Sequence, residues 1–468
     1  MSREMSSSTI RQRSQDESPI LSLLSVEEDA PRRSSFLKIM TTLCNIVKWV
    51  PPTARFDSEH PTRFSWYLAL LFCFLSAAMN ASLFWTVSVL KYVASAAAVP
   101  MAGDVPSFSL GAYASSLVLL CPIADQYRRR LVLLILILSG AIFALCLATT
   151  TSSEAYQAFL FLTGIPVIAC QVLMAVIGEV VPVRERPARV AMVVSATQVG
   201  AIYTRVISLV LPRYSSWRYV YWVATSVQFA ALLLTWAFMP DYPSNSTGLP
   251  PHKQLWSVWK LLGKNPRVLQ ASVLAFCVGA VFPSQWGLLR GAVFSGDGSN
   301  DWEHYSLVGA ACLPIVITPL YAGTIGKYVT SIVTVCVGIA LCFTGLTFSN
   351  FSKPQLLGPI LQVFFAELGR ELMQVGIRLS MFSGATQFQN GMEAIYVFWG
   401  VIGTMTANFF RIPAVTDWTS ISTSTWRGKI PTLLFLMSAL VVALARGPRE
   451  RRWVGWCGGM QWRGTSEY

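Results

Sequence analysis

Residues Cys121–Gly140 read CPIADQYRRRLVLLILILSG. From Leu131 the chain stays apolar long enough to cross a bilayer, which takes ~20 residues. The residues before Cys121 are apolar as well. Between the two runs lie one acid, Asp125, and the triplet Arg128-Arg129-Arg130. A polar cluster held between two such runs is a loop at one face of a membrane, with a span on either side. Working outward from it, apolar runs recur at 66–90, 106–124, 131–150, 155–180, 190–211, 217–239, 268–290, 305–323, 329–348, 356–380, 392–411 and 431–446, which predicts twelve spans. The polar stretch DYPSNSTGLPPHKQLWSVWKLLGKNPR, from Asp241, divides them six and six. Its Pro, Gly and Ser residues end the sixth helix, and LWSVWKLL within it has the pattern of a short amphipathic surface helix.

Composition agrees. Of 468 residues, 53% are hydrophobic and 13% are charged, against roughly 25% charged in soluble domains. The net charge of +13 would suggest nucleic acid in a soluble protein; here loop lysines and arginines that fix topology account for it, and no nucleic-acid partner is expected. Basic residues gather at Arg128–Arg130, at Arg184, Arg186 and Arg189, at Lys253, Lys260, Lys264 and Arg267, at Lys327, and in RGPRERR from Arg446. The alternate loops, TTTSSE near Thr149, SGDGSNDWEH near Ser295 and SNFSKP near Ser349, are mostly neutral or acidic, with Lys91, Arg213, Arg411, Arg427 and Lys429 as exceptions on that side. Both termini are therefore expected in the cytoplasm. The expected organisation is a disordered cytosolic tail over 1–62, a six-helix bundle over 63–240, a cytoplasmic linker over 241–267, a second bundle over 268–446 and a cytosolic tail over 447–468. Residues 1–60 lack the apolar run and small-residue site of a cleavable signal. The fold class is an all-α membrane protein, twelve transmembrane helices in two pseudo-symmetric six-helix bundles. Repeats of this kind are a transporter signature, with the substrate site near the midplane between them.

Enzyme chemistry finds no support. The ten cysteines show no CxxC pair and the three histidines no HExxH, so neither a zinc site nor a disulfide framework is indicated. GxxxxGK[ST], a nucleophile elbow and a phosphate loop are also absent from the sequence, which disfavours an ATP-driven pump.

The loop CPIADQYRRR resembles the G-x-L-A-D-R-x-G-R-R motif of the major facilitator superfamily. Asp125, Arg129 and Arg130 match; Cys121 and Arg128 stand at the two glycines, and Gln126 stands at the first arginine. A second stretch, RPARVAMVVSATQVGAIYTRVISLVLPRYSSWRYVYW from Arg186, resembles the drug:proton-antiporter-like branch of that superfamily. Arg186, Ser195, Gly200, Arg205, Ser208, Trp217, Arg218, Tyr221 and Trp222 match in spacing, while Pro187 and Ser216 stand where the branch has glycine. The resemblance implies that Asp125, with Arg129 and Arg130, forms a cytoplasmic gate. Asp125 would dock at the start of span 11, where the helix dipole favours an anion. Cys121 in place of glycine would loosen the packing of span 2 on span 11. At the start of span 11 the branch has Arg-x-Asn-x-x-Tyr; here Tyr396 remains and Glu393 stands for the Asn, close to where Asp125 would dock. Glu179, ending span 4, reads as a further acid at that edge, with Arg184 or Arg186 as partner.

Ionisable residues at bilayer depth are costly and mark function by default. Arg205 lies in span 5, one face with Ser195 and Gln198. It either meets a polar substrate group or a proton-carrying acid, or is neutralised and orders the bundle. In span 10, Glu367, Glu371, Gln374 and Arg378 fall on one stripe, with Arg370 beside it. An i,i+3 pair within that helix makes the stripe structural; an unpaired Glu makes it a proton site. Glu367 and Glu371 are thus the proton-coupling candidates. Asn80, Gln171, Gln198, Arg205, Gln285, Trp286 and Gln374 are candidates for the translocation pathway, with interhelical hydrogen bonds or packing as the alternative for Asn80, Gln171, Gln285 and Trp286. The resemblance implies a monomeric secondary transporter of the plasma membrane, exporting a small amphipathic compound against proton influx and needing no cofactor beyond that gradient. A nutrient importer on the same fold and a membrane sensor that transports nothing remain open alternatives.

Overall fold

A computed structural model describes residues 64–86, 89, 93, 105–124, 126–182, 184–242, 251–293, 301–326, 328–348, 357–382, 389–416 and 430–445. The chain forms twelve long helices in these segments: α1 (Trp66–Ala81), α2 (Val105–Leu119), α3 (Arg129–Thr149), α4 (Ser153–Val180), α5 (Arg186–Tyr214), α6 (Arg218–Phe238), α7 (Pro266–Val293), α8 (Asp301–Thr324), α9 (Ser331–Phe348), α10 (Leu357–Phe382), α11 (Gln389–Thr416) and α12 (Ile430–Leu444). A single turn, Cys121–Ala124, follows α2, and a further helix, Pro251–Lys264, lies between α6 and α7. Each of the twelve apolar runs read from the sequence overlaps one of the long helices. Leu, Ile and Phe side chains left exposed on α3, α6, α8 and α12 are the lipid-facing surface of such a bundle.

Two helices depart from the single spans expected. Span 1 was expected to run to residue 90, yet α1 ends at Ala81 and Ser82–Phe84 form a tight turn. The Ser82 N–H bonds Met79 O instead of continuing the helix. The Ala78 carbonyl thereby loses its helical donor, and Gln228 Nε2 of α6 takes that place at 3.1 Å while also reaching Ser82 Oγ at 3.0 Å. A side chain inserted into the ladder is a recognised cause of helix breaks. In α4 the break is the 3₁₀ turn Ile165–Ile168. Pro166 there has no N–H to give, and a Cβ at Gly164 would lie 2.1 Å from Ser109 O of α2; the bare backbone lets the two helices touch.

Within each half the first helix packs on the fifth through glycine. A Cβ at Gly200 of α5 would sit 2.2 Å from Ala77 O of α1, and one at Gly403 of α11 would sit 2.1 Å from Phe276 O of α7. The two contacts occupy equivalent places, first helix with fifth in each half. In lipid, where chains gain little by hiding apolar surface from one another, small residues that admit close backbone contact drive association. The outer part of the first half is pinned by a chain of hydroxyls: Tyr156 OH to Tyr221 OH at 2.6 Å, and Thr86 Oγ1 to Tyr221 OH at 3.1 Å. Trp217 rests edge-on against both tyrosines. Arg218 donates to Thr150 O at 3.0 Å, tying the start of α6 to the end of α3. The WRxxYW match is thus a staple of the bundle.

The halves meet mainly through α5 against α8 and α10, and through α2 and α4 against α11. The apolar core of the first half continues into the second through Ala322, Val375, Phe382, Ala394 and Val401.

Candidate translocation site

The polar residues of the interface fall into two clusters on α10. That helix carries Glu367, Arg370, Glu371 and Arg378, all buried. Charges at this depth survive only where partners neutralise them or where they have work to do.

The first cluster joins α10 to α5. Three donors converge on Glu367 Oε2: Arg370 Nε at 3.0 Å, Arg370 Nη2 at 2.6 Å and Gln198 Nε2 at 2.9 Å. The i,i+3 pair anticipated within this helix is therefore Glu367 with Arg370. One turn on, Glu371 is fully buried and its Oε2 accepts from Ser195 Oγ at 2.8 Å. Among the described residues no cation comes within ion-pairing distance of Glu371, and its Oε1 has no hydrogen-bond partner. Thr318 of α8 lies against the same carboxylate, outside hydrogen-bond geometry. Two acids of one stripe thus stand in different states: Glu367 is saturated by a cation and an amide, whereas Glu371 holds one hydroxyl. Both bonds from α5, those of Ser195 and Gln198, run from the first half to the second.

The second cluster lies nearer the end of the bundle that carries the arginine loop. Arg378 Nε donates to Glu393 Oε1 of α11 at 2.8 Å, and Arg378 Nη1 to Gln374 Oε1 at 3.3 Å. The guanidinium also sits over the Tyr396 ring, 4.6 Å from its centre. Arg378 and Glu393 are both buried, so Tyr396 and Glu393, three residues apart at the start of α11, share one cation. Facing this pair from the first half is Tyr113 of α2, whose hydroxyl accepts from Gln171 Nε2 of α4 at 2.5 Å. Further toward the same end, Arg186 Nη1 reaches Phe382 O across the halves at 3.4 Å.

The remaining sequence candidates are placed as follows. Asn80 Nδ2 donates to Thr197 O at 2.8 Å, an α1–α5 bond, which is the interhelical alternative. Arg205 is half-buried and its guanidinium lies over the Phe84 ring, 5.6 Å from the centre. Ser195, Gln198 and Arg205 all lie on α5, and the first two hydrogen-bond the α10 acids. Gln285 and Trp286 fall within α7, and their side chains lie outside the described residues, as does Asp125. Arg129 is fully buried and pairs with Glu179 at 3.1 Å. Glu179 therefore meets an arginine fifty residues away, where Arg184 or Arg186 was expected; burial of Arg129 against α4 is the reason. Arg130 donates to Trp236 O of α6, and Arg128 pairs with Asp241. These described contacts of the three arginines lie within the first half, and the turn Cys121–Ala124 beside them packs on α11 of the second. Ser195, Tyr113, Thr318, Arg370, Arg378 and Tyr396 are the site residues that sequence reasoning left off its candidate set. Ser195, Arg370, Arg378 and Tyr396 had a signal, in the span-5 match, the span-10 stripe and the start of span 11; Tyr113 and Thr318 had none.

Comparison with known proteins follows this geometry. Residues 70–408 match the family model described as Major Facilitator Superfamily. A curated relative, the "Uncharacterized transporter YgaY" of Escherichia coli O157:H7, is 26% identical over 166 residues, covering 36% of this chain. The matched region spans only 42% of that relative's length. Among solved structures, the human organic anion transporter TETRAN superposes with a TM-score of 0.60 at 15% identity, covering 80% of this chain and 98% of that one. The proton:xylose symporter XylE gives a TM-score of 0.63 at 12% identity, covering 80% and 94%. The Escherichia coli fucose:proton symporter FucP gives 0.60 at 13% identity, covering 81% and 98%. At these identities the likeness is one of fold.

Proposed function

Because the chain belongs to the major facilitator superfamily, and so is a multi-pass membrane transporter of a small molecule, we propose that it exports a small amphipathic organic compound in exchange for protons. Both termini lie in the cytoplasm of a plasma-membrane monomer, the arginine-loop end of the bundle faces the cytoplasm, and the proton gradient is the sole energy source.

One observation carries the reading: Glu371 is buried without a cation of its own and bonded across the halves to Ser195. A bare carboxylate at bilayer depth costs ~2.5 kcal/mol or more, a carboxylic acid far less. Proton binding therefore favours the arrangement in which the halves close around Glu371, and proton loss favours the one that wets it. A ligand moves a conformational equilibrium only by its differential affinity for the two states, and a proton on Glu371 has that differential. The neighbouring pair supplies the contrast. Glu367 already has Arg370 and Gln198 as partners, so the bundle itself holds it in place. Arg370 and Arg205 orient polar groups of the substrate, while Phe84 and the apolar walls take its body.

Direction rests on the span-5 resemblance to the antiporter-like branch. Import is the second reading, favoured by the proton-driven sugar symporters among proteins of the same fold.

The test is flux. Cells lacking their own exporters, loaded with labelled amphipathic compounds, should show efflux from the wild type that a protonophore stops. Glu371→Gln should lose gradient-driven efflux and keep substrate exchange. Efflux from Glu371→Gln that still follows the proton gradient would remove Glu371 from coupling, and gradient-driven accumulation would turn the direction to import.

A further inference from the structure

The helix Pro251–Lys264 belongs to neither half, and the transport reading makes no use of it. Its residues divide cleanly. At ~100° per residue, Leu255, Trp259 and Leu262 lie within roughly 60° of one another, and so do Lys253, Trp256 and Lys260 on the opposite side. The first group is half-buried; Trp259 rests edge-on against Phe398 of α11, ring centres 5.4 Å apart, and Leu262 packs on the core of the second half. The second group is exposed, Trp256 at 65%. The helix touches the turn Cys121–Ala124 of the first half and α11 of the second at once. It ends at Asn265, whose Oδ1 accepts from Arg267 N–H at 3.0 Å and so caps the start of α7. That junction fixes its depth: the helix lies where a membrane-spanning helix begins, at the level of the lipid headgroups.

An indole flanked by two ammonium groups, exposed at that level, fits one occupant. Trp is the interfacial anchor residue, and each Lys near an anionic lipid surface contributes ~1 kcal/mol. Arg184 is exposed in the same family of loops, and the chain carries a net charge of +13, so the complementary surface is anionic. We infer that Lys253, Trp256 and Lys260 bind anionic phospholipid headgroups, and that the helix thereby acts as a lipid-held clasp across the two halves. The lipid grips one face while the opposite face touches both halves, so membrane charge bears on how readily that end of the bundle opens.

The experiment is hydrogen exchange of the full chain in nanodiscs of phosphatidylcholine alone and of phosphatidylcholine mixed with phosphatidylglycerol. It reads the helix directly and needs no transported substrate, so it stands apart from the transport reading. Amides of residues 252–264 should exchange roughly tenfold more slowly with phosphatidylglycerol, and high salt should remove the difference. The double variant Lys253→Gln, Lys260→Gln should lose it, with exchange in α9 and α10 unchanged as the check that the bundle is intact. If the double variant fails that check, Lys253→Gln alone should keep part of the difference. Equal exchange in the two lipids, or a difference that survives loss of both lysines, would overturn the inference.

Discussion

The two halves keep their charges at different depths. In the first, the described ion pairs lie at the end of the bundle: Arg129 with Glu179, Arg128 with Asp241 and Arg189 with Glu185. Toward its partner it presents amides and hydroxyls, those of Gln198, Ser195, Gln171 and Tyr113. In the second, acids and arginines lie in the membrane interior, Glu367 with Arg370 and Arg378 with Glu393, with Glu371 between them. Arg205, over Phe84, is the first half's exception. The difference teaches that halves of equivalent layout have divided the labour: one holds the groups a proton can change, the other reads that change through neutral hydrogen bonds. A hydroxyl serves because it costs little to bury and can rotate to follow either form of a carboxyl.

The comparison breaks most easily at Arg378. Arg378→Ala leaves Glu393 buried and unpaired, which costs ~3–5 kcal/mol, and should appear as a large fall in the melting temperature of the purified protein. Arg378→Met with Glu393→Leu, which removes both charges, should regain most of that loss. Next comes Glu371→Gln. A charge worth ~2.5 kcal/mol or more at this depth corresponds to roughly a hundredfold in an equilibrium, so gradient-driven flux should fall on that order while exchange of labelled for unlabelled substrate persists. Ser195→Ala removes the neutral reader. A hydrogen bond to a neutral carboxyl contributes ~0.5–1.5 kcal/mol, so gradient-driven flux should drop roughly two- to tenfold and Ser195→Thr should restore it. A full effect in Glu371→Gln with none in Ser195→Ala would undo the division of labour. The smallest effect belongs to the loop: Arg128 is 69% exposed beside Asp241, and Arg128→Ala should change stability by no more than ~1 kcal/mol.

Much of this architecture was legible before any coordinates. Spans announce themselves because lipid demands ~20 apolar residues at a time, a local property of the chain. The α10 stripe was legible for the same reason, since four residues make roughly one turn. What stayed hidden depends on partners far off in sequence. The break in α1 is made by Gln228, the environment of Glu371 by Ser195, and the neutralisation of Glu179 by Arg129. Proximity in the chain pointed instead to Arg184 and Arg186. Arg205 is conspicuous as an arginine within a span, yet spacing alone says nothing of which helix its face meets. Tyr113 sits among small residues with no pattern to distinguish it.

The bond from Gln228 to Ala78 also has a consequence for biogenesis. Its two ends are 150 residues apart. At roughly 5–20 residues per second, on the order of ten seconds separate the synthesis of the carbonyl from that of the amide that satisfies it. Through that interval α1 cannot take its final broken shape in lipid at no cost, because Ala78 O would be left bare. An unbroken first helix would leave no such carbonyl bare, so the turn is costly until α6 stands beside it. The order in which the ribosome delivers these helices is thus written into the place where α1 ends.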